Sequence, residues 1–455
     1  MAAETIIPVR PLHRIRRGTG LLWASLMALS AFVSCSKDRI TPLPESEIEK
    51  YDYYQYGVGR LEITTDNQTP VSSKENYVAC EVNLKGNGFF PDHLYLRGKI
   101  RGRGNSTWAW YPKKPYRIKL DQSSPMMGME KGKDWVLLAD FRDITHLMNN
   151  VAFTLAHELE LPHANHSRYV NLILNEQDMG LYMLTEQIEE GKRRVNVDAT
   201  RGILLALDLN DGPGESPQAT DNFWSSGFQM ACAVKFPRDP DAATVQRVKS
   251  AFAELEDVIN RRDWDGIQSL LDVDTMIKYI LIQEIIGNGE VDNNPSMRSG
   301  YIHRYDDKSK WVMGPMWDAD AGFGYDGSDM FNRQGRCHTY FIHNEALVFG
   351  TEPYRHIGAM NGTASDLFCK LWGIPAFVYR LQKLWNERHE ALLSAVLEQI
   401  KQSENAIMYK AAADIKIWNI QGFTHTGGVN GLKTYLRNRF SYLDGIIKAC
   451  AVKAY

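Results

Sequence analysis

Residues 311–324 read WVMGPMWDADAGFG, an apolar run followed by two aspartates and a Gly-Phe-Gly turn. The Trp-Val-Met run predicts a buried strand. Asp318 and Asp320 are two residues apart, and at this spacing side chains on an extended segment point to one face. Two carboxylates on one face suit Mg²⁺ or Mn²⁺ when a phosphate supplies further oxygens. The alternative is a pair of turn carboxylates at a strand end, where Asp commonly bonds nearby backbone.

A second segment, IRGRGNSTW at residues 100–108, combines glycines, arginines and hydroxyls. Glycines let backbone N–H groups approach an anion, and an arginine such as Arg103 can bind two phosphate oxygens at once. Ser106 adds a hydroxyl donor. The spacing matches neither a P-loop nor a dinucleotide fingerprint. The segment is therefore a candidate phosphate-binding loop, with an ordinary glycine turn as the alternative.

The segment KKPYRIKLD at residues 113–121 reads as a strand. Its alternation places Arg117 and Lys119 on one face and apolar residues on the other. Lys119 is a candidate ligand for a nucleotide phosphate, and a charge in this apolar setting needs a partner. Glu186, in YMLTEQIE, is the predicted partner. The alternative is a solvated strand face.

A polar loop, IGNGEVDNNPSMRSGYIHR at residues 286–304, joins a predicted buried helix to a strand. An acidic residue in such a loop can accept a proton from a substrate hydroxyl, and an asparagine can share a metal ion. Glu290 and Asp292 are both candidates for the acidic position. A long polar turn is the alternative.

The order of the elements predicts the architecture. Alternating apolar residues predict mainly strands in the first half of the chain, and helical spacing dominates the second half. We therefore expect an α+β protein of two lobes, with a β-rich N-terminal lobe at residues 58–212 and a mainly helical C-terminal lobe at 213–455. The functional site is expected in the cleft between the lobes.

The N-terminus has the pattern of a bacterial lipoprotein signal. The basic run PVRPLHRIRRGTG precedes the apolar run LLWASLMALSAFV, and Ser34 and Cys35 follow. Residues 1–35 are predicted to be a signal peptide ending at a lipid-modified Cys35, and the polar residues 36–57 a flexible tether. This pattern predicts anchoring in the bacterial cell envelope, at the outer membrane, facing the periplasm or the outside. The alternative is a cleaved signal followed by an incidental thiol.

The net charge of −3 argues against a partner bound by bulk electrostatics, such as a nucleic acid. No nucleic-acid partner is expected.

In chain order, the sequence carries a Gly-rich basic loop, a strand lysine, a glutamate, an Asp/Asn loop and the D-x-D pair, which together are typical of phosphoryl transfer. The stretches IRGRGNSTW, YPKKPYRIKLD, KDWVLLADFRD and GPMWDADAGFG make the chain resemble the spore coat protein H (CotH) kinase family over most of the mature sequence. The resemblance implies a two-lobed atypical protein-kinase-like fold. It also implies the use of ATP with a divalent metal on serine-bearing coat or surface proteins.

The resemblance also implies roles for individual residues. Lys119 and the base-like Asp292 would be catalytic, and Asp318 with Asp320 would hold Mg²⁺ or Mn²⁺. The nucleotide would be bound by Arg103, Ser106, Lys119 and Glu186.

The chain departs from the family pattern at residues 288–298. Either Glu290 or Asp292 occupies the acidic place, and Met297 or Arg298 stands about where a second, metal-binding Asn is expected. An enzyme without that Asn is expected to be slow or inactive.

The predicted function is therefore that of an envelope-anchored, divalent-metal-dependent kinase. It would transfer the γ-phosphate of ATP to Ser/Thr hydroxyls of surface or secreted proteins. Its partners would be ATP, a protein substrate, and the membrane through the lipid on Cys35. The alternative is a catalytically weak or inactive relative that binds protein or glycan at the surface. A metal-assisted hydrolase is a third reading, but it lacks nearby His ligands.

Overall fold

The structure, a computed structural model, describes residues 57–213, 215–288, 297–324 and 366–449. Within these ranges, twelve strands form two sheets, and eight α-helices accompany them. The strands are β1 Gly59–Thr65, β2 Val78–Lys85, β3 His93–Gly102, β4 Tyr116–Met126, β5 Met129–Leu138, β6 Ser167–Leu174, β7 Gln177–Glu186, β8 Ile203–Leu207, β9 Asn222–Ser225, β10 Met230–Phe236, β11 Gly300–Arg304 and β12 Trp311–Met313. The helices are α1 Ser106–Trp110, α2 Met148–Glu158, α3 Ala242–Asn260, α4 Trp264–Leu270, α5 Val273–Ile286, α6 Asp366–Trp372, α7 Pro375–Ile417 and α8 His425–Ala449.

The first seven strands close into a barrel in the order β1-β2-β3-β4-β5-β7-β6. Neighbouring strands are antiparallel except at the closure, where β1 pairs parallel to β6. The period-2 alternation of these strands points one set of side chains inward. The barrel interior is consequently apolar, with Leu61, Ile118, Trp135 and Tyr182 among its fully buried members.

The other five strands form a second sheet in the order β12-β11-β8-β10-β9. Its central strand, β8, is buried at every position, as expected for a strand covered on both faces. A large apolar core joins this sheet to the helices and to the outer face of β7 through Leu181 and Met183. The second sheet thus lies on the same continuous core as the helical part.

The predicted two-lobed protein-kinase-like fold is wrong. The N-terminal strands form a closed seven-stranded barrel, which differs from the sheet of a two-lobed kinase. The second sheet also combines β8, from the predicted N-terminal lobe, with β10, β11 and β12, from the predicted C-terminal lobe. Alternation in the sequence identifies strands, but it does not state which strands pair, and pairing decides whether a sheet closes.

Individual elements agree better with the sequence. Strands β6 and β7 form an antiparallel hairpin, and the buried helix predicted before residues 286–304 is confirmed as α5. Asp272 caps the first turn of α5 by accepting the N–H of Thr275, and Gly287 ends the helix in a left-handed conformation. Asn288 follows directly after this helix end and begins the loop that was expected to carry the acidic residue.

A buried ion pair fastens the longest helix, α7, to the barrel. The Nζ of Lys113 lies 2.9 Å from the carboxylate of Asp414 and donates to the carbonyl of Leu181 at 2.5 Å. Asp414 also accepts the backbone N–H of Leu181 at 2.9 Å. The carboxylate of Asp414 fits here only because residue 180 is a glycine. Gly180 has a φ of +84°, and a Cβ there would stand 2.0 Å from an oxygen of Asp414. Burial opposes ionisation of Asp414, but Lys113 and His146 together outweigh it, so the pKa of Asp414 is lowered.

No helix in the described ranges is both long enough and apolar enough to cross a bilayer.

We expect Asp414→Asn to lower the free energy of unfolding by about 3–5 kcal/mol, because it leaves the ammonium of Lys113 buried without a counter-charge. The measurement is urea unfolding followed by tryptophan fluorescence. The control is Asp257→Asn, which removes an exposed i,i+4 partner of Arg261 and should cost less than about 1 kcal/mol. Equal losses in the two variants would contradict the role assigned to Lys113 and Asp414.

Candidate functional site

The D-A-D segment, residues 318–320, lies outside strand β12. Strand β12 ends at Met313, and Asp318 has a φ of +55°, so the expected extended geometry of this segment is wrong. A positive φ is uncommon for a residue with a Cβ and persists where surrounding contacts impose it. Here the N–H of Ala319 donates to Oδ1 of Asn149 on α2 at 2.9 Å. Asp318 is half-buried and Asp320 is buried.

The Gly-Phe-Gly turn anchors the same segment to the helical core. The N–H of Phe323 donates to the carbonyl of Ile286, the last residue of α5. The fully buried ring of Phe323 lies 5.8 Å from that of Tyr435 on α8. The two aspartates are therefore held from both sides, by α2 and by the end of α5.

The Gly-rich loop follows β3 and folds back towards β4. The N–H of Arg103 donates to the carbonyl of Pro115 at 3.1 Å. Gly104 adopts a φ of +81°, and a Cβ there would stand 2.4 Å from the hydroxyl of Thr107, so this position requires glycine. Ser106 begins the five-residue helix α1 and is half-buried. Its predicted role in nucleotide binding stays a prediction.

Arg103 brings the Gly-rich loop and the D-A-D segment together. Its guanidinium lies over the ring of Trp317, 5.4 Å from the centroid. Burial lowers the pKa of Arg103, while the negative charges of Asp318 and, more weakly, Asp320 act in the opposite direction. Two segments that are about 215 residues apart in the chain are thus brought close enough for their charges to interact, and their roles in binding phosphate and metal stay predictions.

Sequence reasoning missed two residues that hold Asp318. Ser299 donates its hydroxyl to Oδ2 of Asp318 at 3.1 Å, and its N–H donates to Oδ2 of Asp208 at 3.1 Å. Asp208, just after β8, also accepts the N–H of Asn210. Burial, reinforced by the charge of Asp211, raises the pKa of Asp208 to about 6. The signal available in the sequence was a carboxylate at the end of the fully apolar run ILLAL.

The predicted pairing of Lys119 with Glu186 is wrong. Lys119 points outward from the barrel, and its Nζ lies 3.6 Å from Asp134 on β5. Glu186 accepts the N–H of His166 at 2.6 Å and lies 3.7 Å from Arg194. The two residues belong to opposite faces of the barrel wall, since Glu186 pairs in register with Trp135, an interior residue, and Lys119 with Asp134.

Glu186 instead forms part of the wall of a cleft of about 440 Å³, lined also by His157, His163, His166 and Pro315. This volume falls in the range of about 300–1,000 Å³ that is usual for small-molecule sites. Burial alone would raise the pKa of Glu186, but His166 and Arg194 outweigh it, and the pKa is lowered. An ionised, well-bonded carboxylate therefore lies in this wall.

The cleft and the Arg103 cluster are connected through β4 and β5. The N–H of Gln187, in the cleft wall, donates to the carbonyl of Asp134 at 3.5 Å. Arg117 donates to the carboxylate of Asp134 from Nη2 at 2.6 Å. Arg117 also contributes to lowering the pKa of Arg103 through the repulsion of like charges. Asp134, which is bonded to the cleft wall through its carbonyl, is therefore also bonded through its carboxylate to Arg117, whose charge acts on Arg103.

The remaining predicted residues are only partly described. Asp292 and Glu290 lie outside the described residues. Met297, one of the two residues standing about where a second Asn was expected, is buried, and Arg298 lies 3.5 Å from Glu215.

The oxygen donors near Asp318 fit one kind of metal ion. Among the residues that the structure describes, no group of three or more His, Cys, Asp or Glu side chains is arranged to hold a metal. Asp318 and Asp320 supply two carboxylates, and Mg²⁺ commonly takes one or two carboxylates with phosphate oxygens and water as its other ligands. The described donors therefore fit Mg²⁺ or Mn²⁺ delivered with a phosphate, and not a cage made of protein ligands alone.

A comparison with protein families gives one match. The model described as CotH kinase protein matches residues 100–443, which is most of the chain and runs from β3 to α8. No curated protein matches the chain.

We expect Asp208 to make stability depend on pH in an identifiable way. Its pKa is raised from 3.8 to about 6 in the folded state, so the folded protein holds this proton more tightly than the unfolded chain does. The resulting stability is present below pH 3.8 and is lost as the pH rises through 6. Relative to Asp208→Asn, the free energy of unfolding of the wild type should fall by ~2–3 kcal/mol between pH 4 and 7. Urea unfolding at each pH measures it, with Asp257→Asn as control, and a difference that does not change with pH would contradict the assignment.

Proposed function

The chain belongs to the CotH kinase protein family, and on that premise we propose that it is a metal-dependent kinase acting on proteins. In this proposal the γ-phosphate of ATP is transferred to Ser/Thr hydroxyls of surface or secreted proteins. The observation that carries the proposal is the convergence of Arg103, from the Gly-rich loop, with Asp318 and Asp320. A guanidinium beside two carboxylates of one segment is suited to a phosphate bridged to a divalent cation.

The proposed arrangement assigns each part of the nucleotide to residues already described. The cleft containing Glu186 would receive the nucleoside end, because its volume is suitable and Pro315 in its wall is three residues from Asp318. Arg117 and Lys119 would bind the phosphates between the cleft and Arg103, and Asp134 pairs with both side chains. Arg103 would bind phosphate oxygens nearest to the metal.

Asp318 and Asp320 would hold Mg²⁺ or Mn²⁺, which when bound neutralises charge on the phosphates. The chain's own contribution is to fix Asp318. The hydroxyl of Ser299 bonds its carboxylate, and Asp208 in turn bonds the N–H of Ser299. Asp208 is thus a positioning residue, which acts on the site through Ser299.

The transfer requires a proton acceptor. The oxygen of the acceptor hydroxyl would form a bond to the γ-phosphorus, the bond to the bridging oxygen would break, and ADP would leave. The hydroxyl proton would pass to a carboxylate, and Asp292 remains the proposed base.

We further propose that the enzyme acts in the bacterial envelope, tethered by residues 36–57 to a lipid on Cys35. The support for this is the signal-like sequence of residues 1–35.

Thermal unfolding with ATP and Mg²⁺ tests the nucleotide site. At about one hundred times the dissociation constant, ligand should stabilise the wild type by about 2.7 kcal/mol. This stabilisation should be lost in Asp318→Asn, because the metal loses a carboxylate ligand, and should be retained in Asp257→Asn. Stabilisation that is equal in all three proteins would refute the site.

Transfer of labelled γ-phosphate to the protein itself or to Ser-rich peptides tests catalysis separately. Transfer by the wild type and its absence in Asp318→Asn would support a kinase. Nucleotide binding without any transfer would instead support the inactive, surface-binding relative.

A further inference from the structure

The outer face of β3 and β4 carries two pairs of like charges. The barrel alternation points Ile100 and Ile118 inward, so Lys99, Arg101, Arg117 and Lys119 point outward. In the register of the two strands, Lys99 is directly opposite Lys119 and Arg101 is directly opposite Arg117. Like charges in directly opposed positions destabilise a sheet. We call these four residues the basic ladder.

The counter-charge of the basic ladder lies beside its β4 residues. In the described part of the chain, Asp134 is the one acidic side chain within 4 Å of any of the four cations, and it serves both Arg117 and Lys119. Lys99 and Arg101 lie instead over the ring of Tyr77, at 4.9 and 5.0 Å from its centroid. An aromatic face attracts a cation but does not neutralise its charge. The β3 side of the ladder therefore has uncompensated positive charge.

The ladder leads directly to the candidate site. Strand β3 ends at Gly102, so Lys99 and Arg101 lie on the strand and Arg103 is the first residue after it, beside Asp318. At about 3.3 Å per residue, Lys99 and Arg101 are roughly 7 Å apart along the strand. An extended peptide has the same repeat, so two acidic side chains that are two residues apart and near an acceptor hydroxyl would meet Arg101 and Lys99.

We propose that Lys99 and Arg101 bind acidic residues of the protein substrate, so that the preferred acceptor is a serine or threonine in an acidic segment. This inference rests on the proposed kinase function and names the substrate class of that site. In this arrangement the β4 residues Arg117 and Lys119, which both pair with Asp134, face the nucleotide phosphates. The β3 residues Lys99 and Arg101 face the acceptor.

Binding of fluorescently labelled peptides to the full chain, with Mg²⁺ and ADP present, tests this proposal. The two peptides have the same length and one central serine, flanked by Asp and Glu in one and by Asn and Gln in the other. The acidic peptide should bind about tenfold more tightly at low salt, and the difference should shrink as salt is raised. Equal affinities would overturn the proposal.

The double variant Lys99→Gln/Arg101→Gln should lose the preference for the acidic peptide. The matched control is Lys249→Gln/Lys410→Gln, which removes the same charge from exposed positions on α3 and α7 and should keep the preference. The urea midpoint of the first double variant should be unchanged or higher, because a like-charge contact is relieved. A preference that persists in Lys99→Gln/Arg101→Gln would overturn the assignment.

Stabilisation by ATP and Mg²⁺, measured on the same variants, separates this proposal from the proposed function. If Lys99→Gln/Arg101→Gln loses nucleotide stabilisation, the β3 cations belong to the nucleotide site and the proposal fails. If the wild type shows no nucleotide stabilisation while the acidic peptide still binds at the ladder, the proposed function fails and the acidic-segment site stands.

Discussion

The arrangement of this molecule depends on the buried ion pair between Lys113 and Asp414. Lys113 lies in the connection between β3 and β4, a few residues after the Gly-rich loop, and Asp414 lies near the end of α7. Taking two charges out of water is costly, and here the cost is offset by short bonds from both groups to Leu181 on β7. The pair therefore fixes helix α7 against strand β7 of the barrel.

That fixed contact has a consequence for chemistry. The segment held by Lys113 includes both the loop of Arg103 and the start of β4, so its position determines where the guanidinium of Arg103 stands. On the other side, Asp318 is held by Ser299 and by the contact of its neighbour Ala319 with Asn149. The cation and the carboxylate are each supported by separate elements, which is the usual condition for a site that keeps its geometry before a ligand arrives.

Residue type alone was enough for the sequence to indicate which side chains could bind phosphate or metal. Arg103 and the D-x-D pair were identified as phosphate and metal candidates, and the structure places them in one cluster. The partner of Lys119 was misassigned. Alternation along each strand shows that its side chains lie on two faces, but it does not show that Lys119 and Glu186 lie on opposite faces of the barrel wall. Asp208 and Ser299 were missed because their importance comes from bonds to Asp318 across separate strands.

The sequence by itself determined the local elements, namely the alternating strands of the barrel, the helix α5 with its Asp272 cap and Gly287 end, and the Gly-rich and D-x-D segments. These features follow from backbone sterics, capping and hydrophobic periodicity, which act over a few residues. Only the tertiary structure decided that β1 pairs with β6 to close a barrel, that β8 joins strands almost 100 residues further along the chain, and that Lys119 faces Asp134. Strand pairing and ion pairing depend on which distant surfaces are buried together, and no local pattern in the chain records that choice.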